Sequence, residues 1–140
     1  MAEPRIQYAK TADGVSIAFW TLGEGMPLVH MPAFPYSHIQ LEWQIPFFRH
    51  FYERLAQASR LVRYDARGTG SSDRHATDFS LEAHILDLEA VVNRLELERF
   101  ALVGRANSAP VAVAYVVRNP EAAAVTIGSI QHVMALAREA

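Results

Sequence analysis

The residues with the most chemical meaning lie near the middle of the chain. Phe100-Ala101-Leu102-Val103-Gly104 runs into Arg105-Ala106-Asn107-Ser108-Ala109, then into the apolar stretch Pro110 to Val117. A short apolar strand, a tight small-residue turn and a helix form the setting in which a G-x-S-x-G elbow lifts a nucleophilic serine out of the backbone. Gly104 stands two positions before the apex, and Ser108 fills the second glycine position with another small side chain. The apex is Ala106. A methyl group cannot be deprotonated and forms no acyl-enzyme, so the turn keeps its steric pattern without its nucleophile.

Two neighbours offer other chemistry. Ser108 is the substitute nucleophile by position, but at the start of a helix its hydroxyl is expected to cap backbone N–H groups. Arg105 is placed to meet an anion at the helix N-terminus; the plainer expectation is a solvated side chain over the sheet edge. Among the six histidines, His50 with Glu53 and His84 with Asp87 have i,i+3 spacing. Neither pair makes a metal motif, so both are expected at solvent-facing positions, and no metal or other cofactor is expected. His30, on a short apolar strand, is expected to be a core histidine bonded to backbone, with a place at a pocket mouth as the functional alternative. Gly68-Thr69-Gly70 lacks a P-loop lysine and a helix directly after it, so it is not expected to hold phosphate.

These residues are positioned by alternating elements. Arg5–Lys10 and Val15–Leu22 read as strands around an Asp13-Gly14 turn, and Pro27–Met31 as a third. Pro32, Pro35 and Pro46 punctuate a long loop. A helix is predicted over Pro46–Ala58, with Phe47, Phe51 and Leu55 on one face, followed by a strand over Leu61–Tyr64. Ser80 is the predicted N-cap of a helix to Leu95, with Leu81, Ile85, Leu88, Val92 and Leu95 facing the core and Asp87, Asn93 and Arg94 mostly elsewhere. The helix after the elbow, apolar almost all round, is expected to be buried on several sides. A last strand is predicted over Ala124–Gly128. Such alternation after a hairpin predicts an α/β domain with a mostly parallel sheet and helices on both faces.

Three local signatures give this order of elements a resemblance to the N-terminal half of the α/β-hydrolase superfamily. Val29-His30-Met31-Pro32-Ala33-Phe34, followed by Ser37-His38 and Glu42-Trp43, is similar to the strand and oxyanion loop of its bacterial branch associated with adenylate cyclase and helix-turn-helix regulators. Tyr64-Asp65-Ala66-Arg67-Gly68-Thr69-Gly70-Ser71-Ser72-Asp73-Arg74 resembles that superfamily's D-x-R-G-x-G-x-S-D loop. The elbow, with Asn119-Pro120-Glu121 ending its helix, is the third. The resemblance covers about Ile6 to Glu121. It implies that Asp65, Arg67, Gly68 and Gly70 form a structural loop held by hydrogen bonds and an ion pair. It also implies that Phe34 N–H and the elbow frame an oxyanion hole, although Ala33 replaces the usual glycine and is expected to restrict that loop. Phe34, Tyr36, Trp43, Phe47 and Phe48 would surround a pocket entrance. Most are expected to serve helix–sheet packing, with a small apolar ligand at Phe34, Tyr36 and Trp43 as the binding alternative. The family's acid and histidine follow the elbow at a distance; here His132 is the one histidine beyond it.

The bulk figures narrow the remaining classes. A chain of 140 residues suits one domain, read here as a single partial α/β-hydrolase-like domain over residues 1–140. A formal net charge of -2 gives no reason to expect nucleic acid or an anionic membrane as partner. With no cysteine, thiolate catalysis and Cys-based metal sites are excluded, and the cytoplasm is the expected compartment. Met1–Arg5 has no apolar signal-peptide core. The expected function is a non-catalytic binding or assembly module, a pseudoenzyme of hydrolase ancestry. An inactivated or incomplete esterase-like serine hydrolase and a sensor module of a signalling protein are the alternatives. A homodimer is expected through the last strand and the tail from Gln131 to Ala140, because an unpaired apolar edge invites strand pairing.

Overall fold

The computed structural model describes residues 1–127, and for the last strand only its backbone. Six strands form one sheet in the order β1-β2-β4-β3-β5-β6. The hairpin β1 (Gln7–Lys10) and β2 (Ser16–Leu22) is antiparallel, and β2 also meets β4 (Arg60–Tyr64) antiparallel. From β4 onward, β3 (Pro27–His30), β5 (Phe100–Gly104) and β6 (Ala123–Ile127) pair in parallel. The hairpin turn closes as its sequence dictates: Thr11 N–H donates to Val15 O at 2.8 Å, and Gly14 takes a φ of +88° that glycine permits without strain.

The period of two along each strand divides the core between two faces. Ile17 and Phe19 of β2, Val62 and Tyr64 of β4, and Phe100 and Leu102 of β5 face α3 (Leu81–Arg94) and α4 (Ala109–Arg118). Ala18 and Trp20, Leu61, and Val103 face α1 (Ile39–Trp43) and α2 (Pro46–Ala56). Helices therefore cover both sides of a mostly parallel sheet, as the pattern predicts. Ser80 caps α3, its hydroxyl accepting from Ala83 N–H at 3.2 Å.

Five expectations need correction. The Pro-rich loop contains α1, a helix too short to hold itself by propensity. It is pinned from outside: Asp65 accepts from Ile39 N–H at 3.1 Å, and His38 Nδ1 caps Leu41 N–H at 3.2 Å. On α2, Phe51 and Leu55 are buried but Phe47, in the first turn, is exposed and meets Phe48 edge-to-face. Helix α4 does not bury several sides, since it contacts the sheet through Val111, Ala112 and Tyr115 while Val113 and Val117 stay exposed. Asp87, expected away from the core, is 1% exposed. A cation inside the fold draws it in: the Arg67 guanidinium donates to it through Nε at 2.9 Å. His84 is likewise no solvent-facing residue, for it stacks on Phe34 with ring centroids 4.1 Å apart. Gly128, His132 and the Gln131–Ala140 tail lie outside the described residues.

Candidate functional site

The elbow is built where β5 gives way to α4. Arg105 continues the extended backbone (φ -140°, ψ 140°), and Ala106 then turns into the left-handed region at φ +51°. A residue with a Cβ pays about 1–2 kcal/mol for that conformation, so the surroundings must impose it. Ser108 does much of this. Its Oγ accepts from Arg105 N–H and donates to Arg105 O, both at 2.9 Å, while its own N–H bonds Arg105 O at 3.0 Å. Gly104 supplies the room, because a Cβ there would lie 2.8 Å from the Ala112 Cβ and 3.2 Å from the Ala109 Cα. Ala106 itself is exposed at the apex.

The loop after β3 arrives beside this turn. Met31 N–H donates to Val103 O at 2.9 Å, and Ala33 O closes a turn by accepting from Tyr36 N–H at 3.1 Å. Phe34 N–H, the expected oxyanion donor of the loop, is occupied. It donates to Asn107 Oδ1 at 3.0 Å, and Asn107 Nδ2 donates back to Phe34 O. The side chain of Asn107 takes this donor.

The loop after β4 is tied to its neighbours by hydrogen bonds. The Asp65 carboxylate accepts from Ser37 Oγ at 2.6 Å, Ile39 N–H at 3.1 Å and Ser71 N–H at 3.0 Å. Gly70, at φ +51°, is required because a Cβ would come within 2.1 Å of that carboxylate. The ion pairs of this loop belong to Arg67, which donates through Nε to Asp87 and through Nη1 to Asp13 at 2.8 Å. The Arg67 hydrogen bond, helped by one from Thr11, holds the Asp13 carboxyl down at about 2.

Beside the elbow, on the α1/α2 face, lies a charged network that the sequence pattern did not announce. Arg63, 3% exposed on β4, donates to Glu42 of α1 at 2.8 Å and to His30 O at 2.9 Å, and its Nη1 lies 3.2 Å from His30 Nδ1. Tyr52 of α2 donates its hydroxyl to the same Glu42 oxygen. Burial alone would raise the Glu42 carboxyl, but the Arg63 charge and hydrogen bonds from Tyr52 and His38 outweigh it, bringing the group down to about 2. Burial, reinforced by the Arg63 and Arg105 charges, pushes His30 down to about 3, so its imidazole is neutral. His30 is therefore a core histidine, and its Nδ1 also lies beside the Arg63 guanidinium. Arg63 standing among apolar neighbours on a short strand was the one available signal.

This network floors a cavity of about 370 Å³ whose lining includes Ala33, Tyr36, Leu41, Phe48 and Arg105. Arg105 is half-buried there, with its Nε shielded from solvent, and is not the solvated side chain expected of it. Of the three residues suggested for an apolar ligand, only Tyr36 lines the cavity, and it is 88% exposed. Trp43 is a core residue set edge-to-face on Trp20, and Phe34 packs on His84. Among the described residues no cluster of His, Asp or Glu is arranged to hold a metal ion.

Comparison with known proteins agrees with this geometry. The chain is 28% identical over 112 residues to the AB hydrolase superfamily protein YisY of Bacillus subtilis (strain 168), covering 80% of this chain and 40% of that protein. It is 27% identical over 110 residues to a non-heme chloroperoxidase of Streptomyces lividans, covering 77% of this chain and 38% of the relative. The solved structure of the epoxide hydrolase CorEH superposes on 89% of this chain and 42% of that chain, with a TM-score of 0.75 and 25% identity. The chain has an α/β-hydrolase-like fold. It spans about 40% of the length of the curated relatives it matches, and no family model matches the sequence. No described helix is long and apolar enough to cross a membrane.

Proposed function

We propose that this chain is a non-catalytic binding module built on an α/β-hydrolase-like fold. The observation that carries the reading is the apex of the elbow: an exposed methyl group occupies the strained position where the fold presents its nucleophile. Two neighbours support it. Asn107 already holds the Phe34 N–H, and Ser108, the substitute by position, is fully buried with its hydroxyl committed to Arg105. The test is exposure of the purified chain to p-nitrophenyl acetate and to a fluorophosphonate probe. No turnover above background and no labelling are expected; saturable turnover abolished by Ser108→Ala would overturn the reading.

The alternative is an incomplete form of an esterase-like hydrolase. It is favoured by the hydrolase and peroxidase names of the relatives, of which this chain matches less than half. Activity on adding the remaining portion of a relative would favour it. From the motif at residues 29–43 we further propose kinship with the bacterial branch associated with adenylate cyclase and helix-turn-helix regulators, from which a sensor role would follow, and separately a cytoplasmic location. Self-pairing through β6, which borders the described sheet, is the mode of homodimer assembly we propose, and light scattering at micromolar concentration tests it.

A further inference from the structure

Among the described residues, one charge in the cavity beside the elbow has no partner. Arg63 is matched by Glu42 at 2.8 Å, and His30 adds no charge. Arg105 lines the same space, yet among the described residues it has neither a carboxylate within ion-pair distance nor a side-chain hydrogen bond. The Nε atoms of both arginines are buried and unpaired among the described residues. Buried donors left unmade are costly, and a guanidinium facing a cavity is the group best shaped to take a planar anion through two parallel hydrogen bonds.

We propose that this cavity binds a small organic monocarboxylate, with its carboxylate on Arg105 and its apolar body against Leu41, Ile45 and Phe48. The charge count selects the ligand class. One unmatched positive charge calls for one negative charge, whereas a phosphate dianion would bring a second one toward Glu42. The volume of about 370 Å³ falls within the range of small-molecule sites. The apolar side is already prepared, since Leu41 and Ile45 are 58% and 45% exposed at the opening. Tyr36 stands at the same mouth, where its ring can cover a bound ligand.

The proposal rests on the non-catalytic reading, under which a carboxylate is ligand rather than product. Calorimetric titration of the 140-residue chain with benzoate, phenylacetate and hexanoate tests it, with benzamide and inorganic phosphate as comparisons. At least one carboxylate should saturate the site, with benzamide and phosphate weaker by about tenfold or more. Arg105→Gln should weaken that carboxylate by about tenfold or more, Arg105→Lys by less, because it keeps the charge but loses the fork. Lys10→Gln, on the exposed edge of β1, should bind as the parent does. Failure of all three carboxylates to saturate below about 10 mM, a limit of weak binding near 3 kcal/mol, would overturn the proposal. So would undiminished binding by Arg105→Gln, or phosphate binding as tightly as the carboxylate. Turnover of p-nitrophenyl acetate by the same sample would sink the non-catalytic reading by a separate readout.

Discussion

Replacing His30 by glutamine should flatten the acid side of the stability profile. In the folded chain this imidazole is pushed down to about 3 from its ordinary 6.5 by burial and by Arg63 and Arg105. Between those values the unfolded chain holds a proton that the folded chain does not, so stability falls as pH falls. For that displacement, lowering the pH from about 7 to about 5 removes roughly 2 kcal/mol. Glu42, with its folded value held down at about 2, behaves differently: its contribution is present above its ordinary value of 4.5 and is lost only as pH falls toward 2. It therefore changes by only about 0.2 kcal/mol over the same interval, which leaves His30 as the term to be read. Against a total stability of about 5–15 kcal/mol the effect is large. Urea titrations at the two pH values should show the midpoint of the parent falling by about 1 M. His30→Gln should fall by much less, because its amide can still accept from Arg63 and has no proton to gain. Parallel loss in both proteins would refute the placement of a neutral histidine against the Arg63 guanidinium.

Other outcomes follow from the same contacts. Asp87→Ala, by stranding the Arg67 guanidinium inside the fold, should cost about 3–5 kcal/mol in urea unfolding; a cost below about 1 kcal/mol would mean that Asp13 alone suffices. Gly104→Ala, which drives a Cβ to 2.8 Å from Ala112, should cost about 1–3 kcal/mol and lower the melting temperature. Ala106→Ser should fold as the parent does but remain unlabelled by a fluorophosphonate probe, since a serine without a base in reach is a poor nucleophile. Labelling would reveal a base that the described residues do not supply.

What could be read from the sequence was local. The Asp13-Gly14 turn, the Ser80 cap and the Gly104–Ser108 elbow each need only a few adjacent residues, and each forms as its pattern demands. The features that escaped join distant parts of the chain. Helix α1 exists because Asp65 reaches it across 26 positions, so no window around Ile39–Trp43 could reveal it. Asp87 faces inward because Arg67 waits there, 20 positions away, overriding the helical pattern that assigns a carboxylate to solvent. The His30–Arg63–Glu42–Tyr52 network draws one member from each of four elements, and strand alternation alone marks Arg63 only as a charge with a destination. Trp43, part of a motif that resembled a pocket wall, instead fills the space over Trp20.

The left-handed alanine at the elbow has an evolutionary meaning. A single base change in an alanine codon yields either serine or glycine. Serine would return an oxygen to the apex at no change in backbone, while glycine would release the roughly 1–2 kcal/mol that a Cβ costs in this conformation. Ala106 holds the geometry with neither benefit, because the close approach at Gly104 and the three hydrogen bonds between Ser108 and Arg105 enforce it from outside. The shape of the elbow is thus maintained separately from the residue at its tip. Drift at that tip can travel toward chemistry or toward stability in one mutational step without first rebuilding the turn.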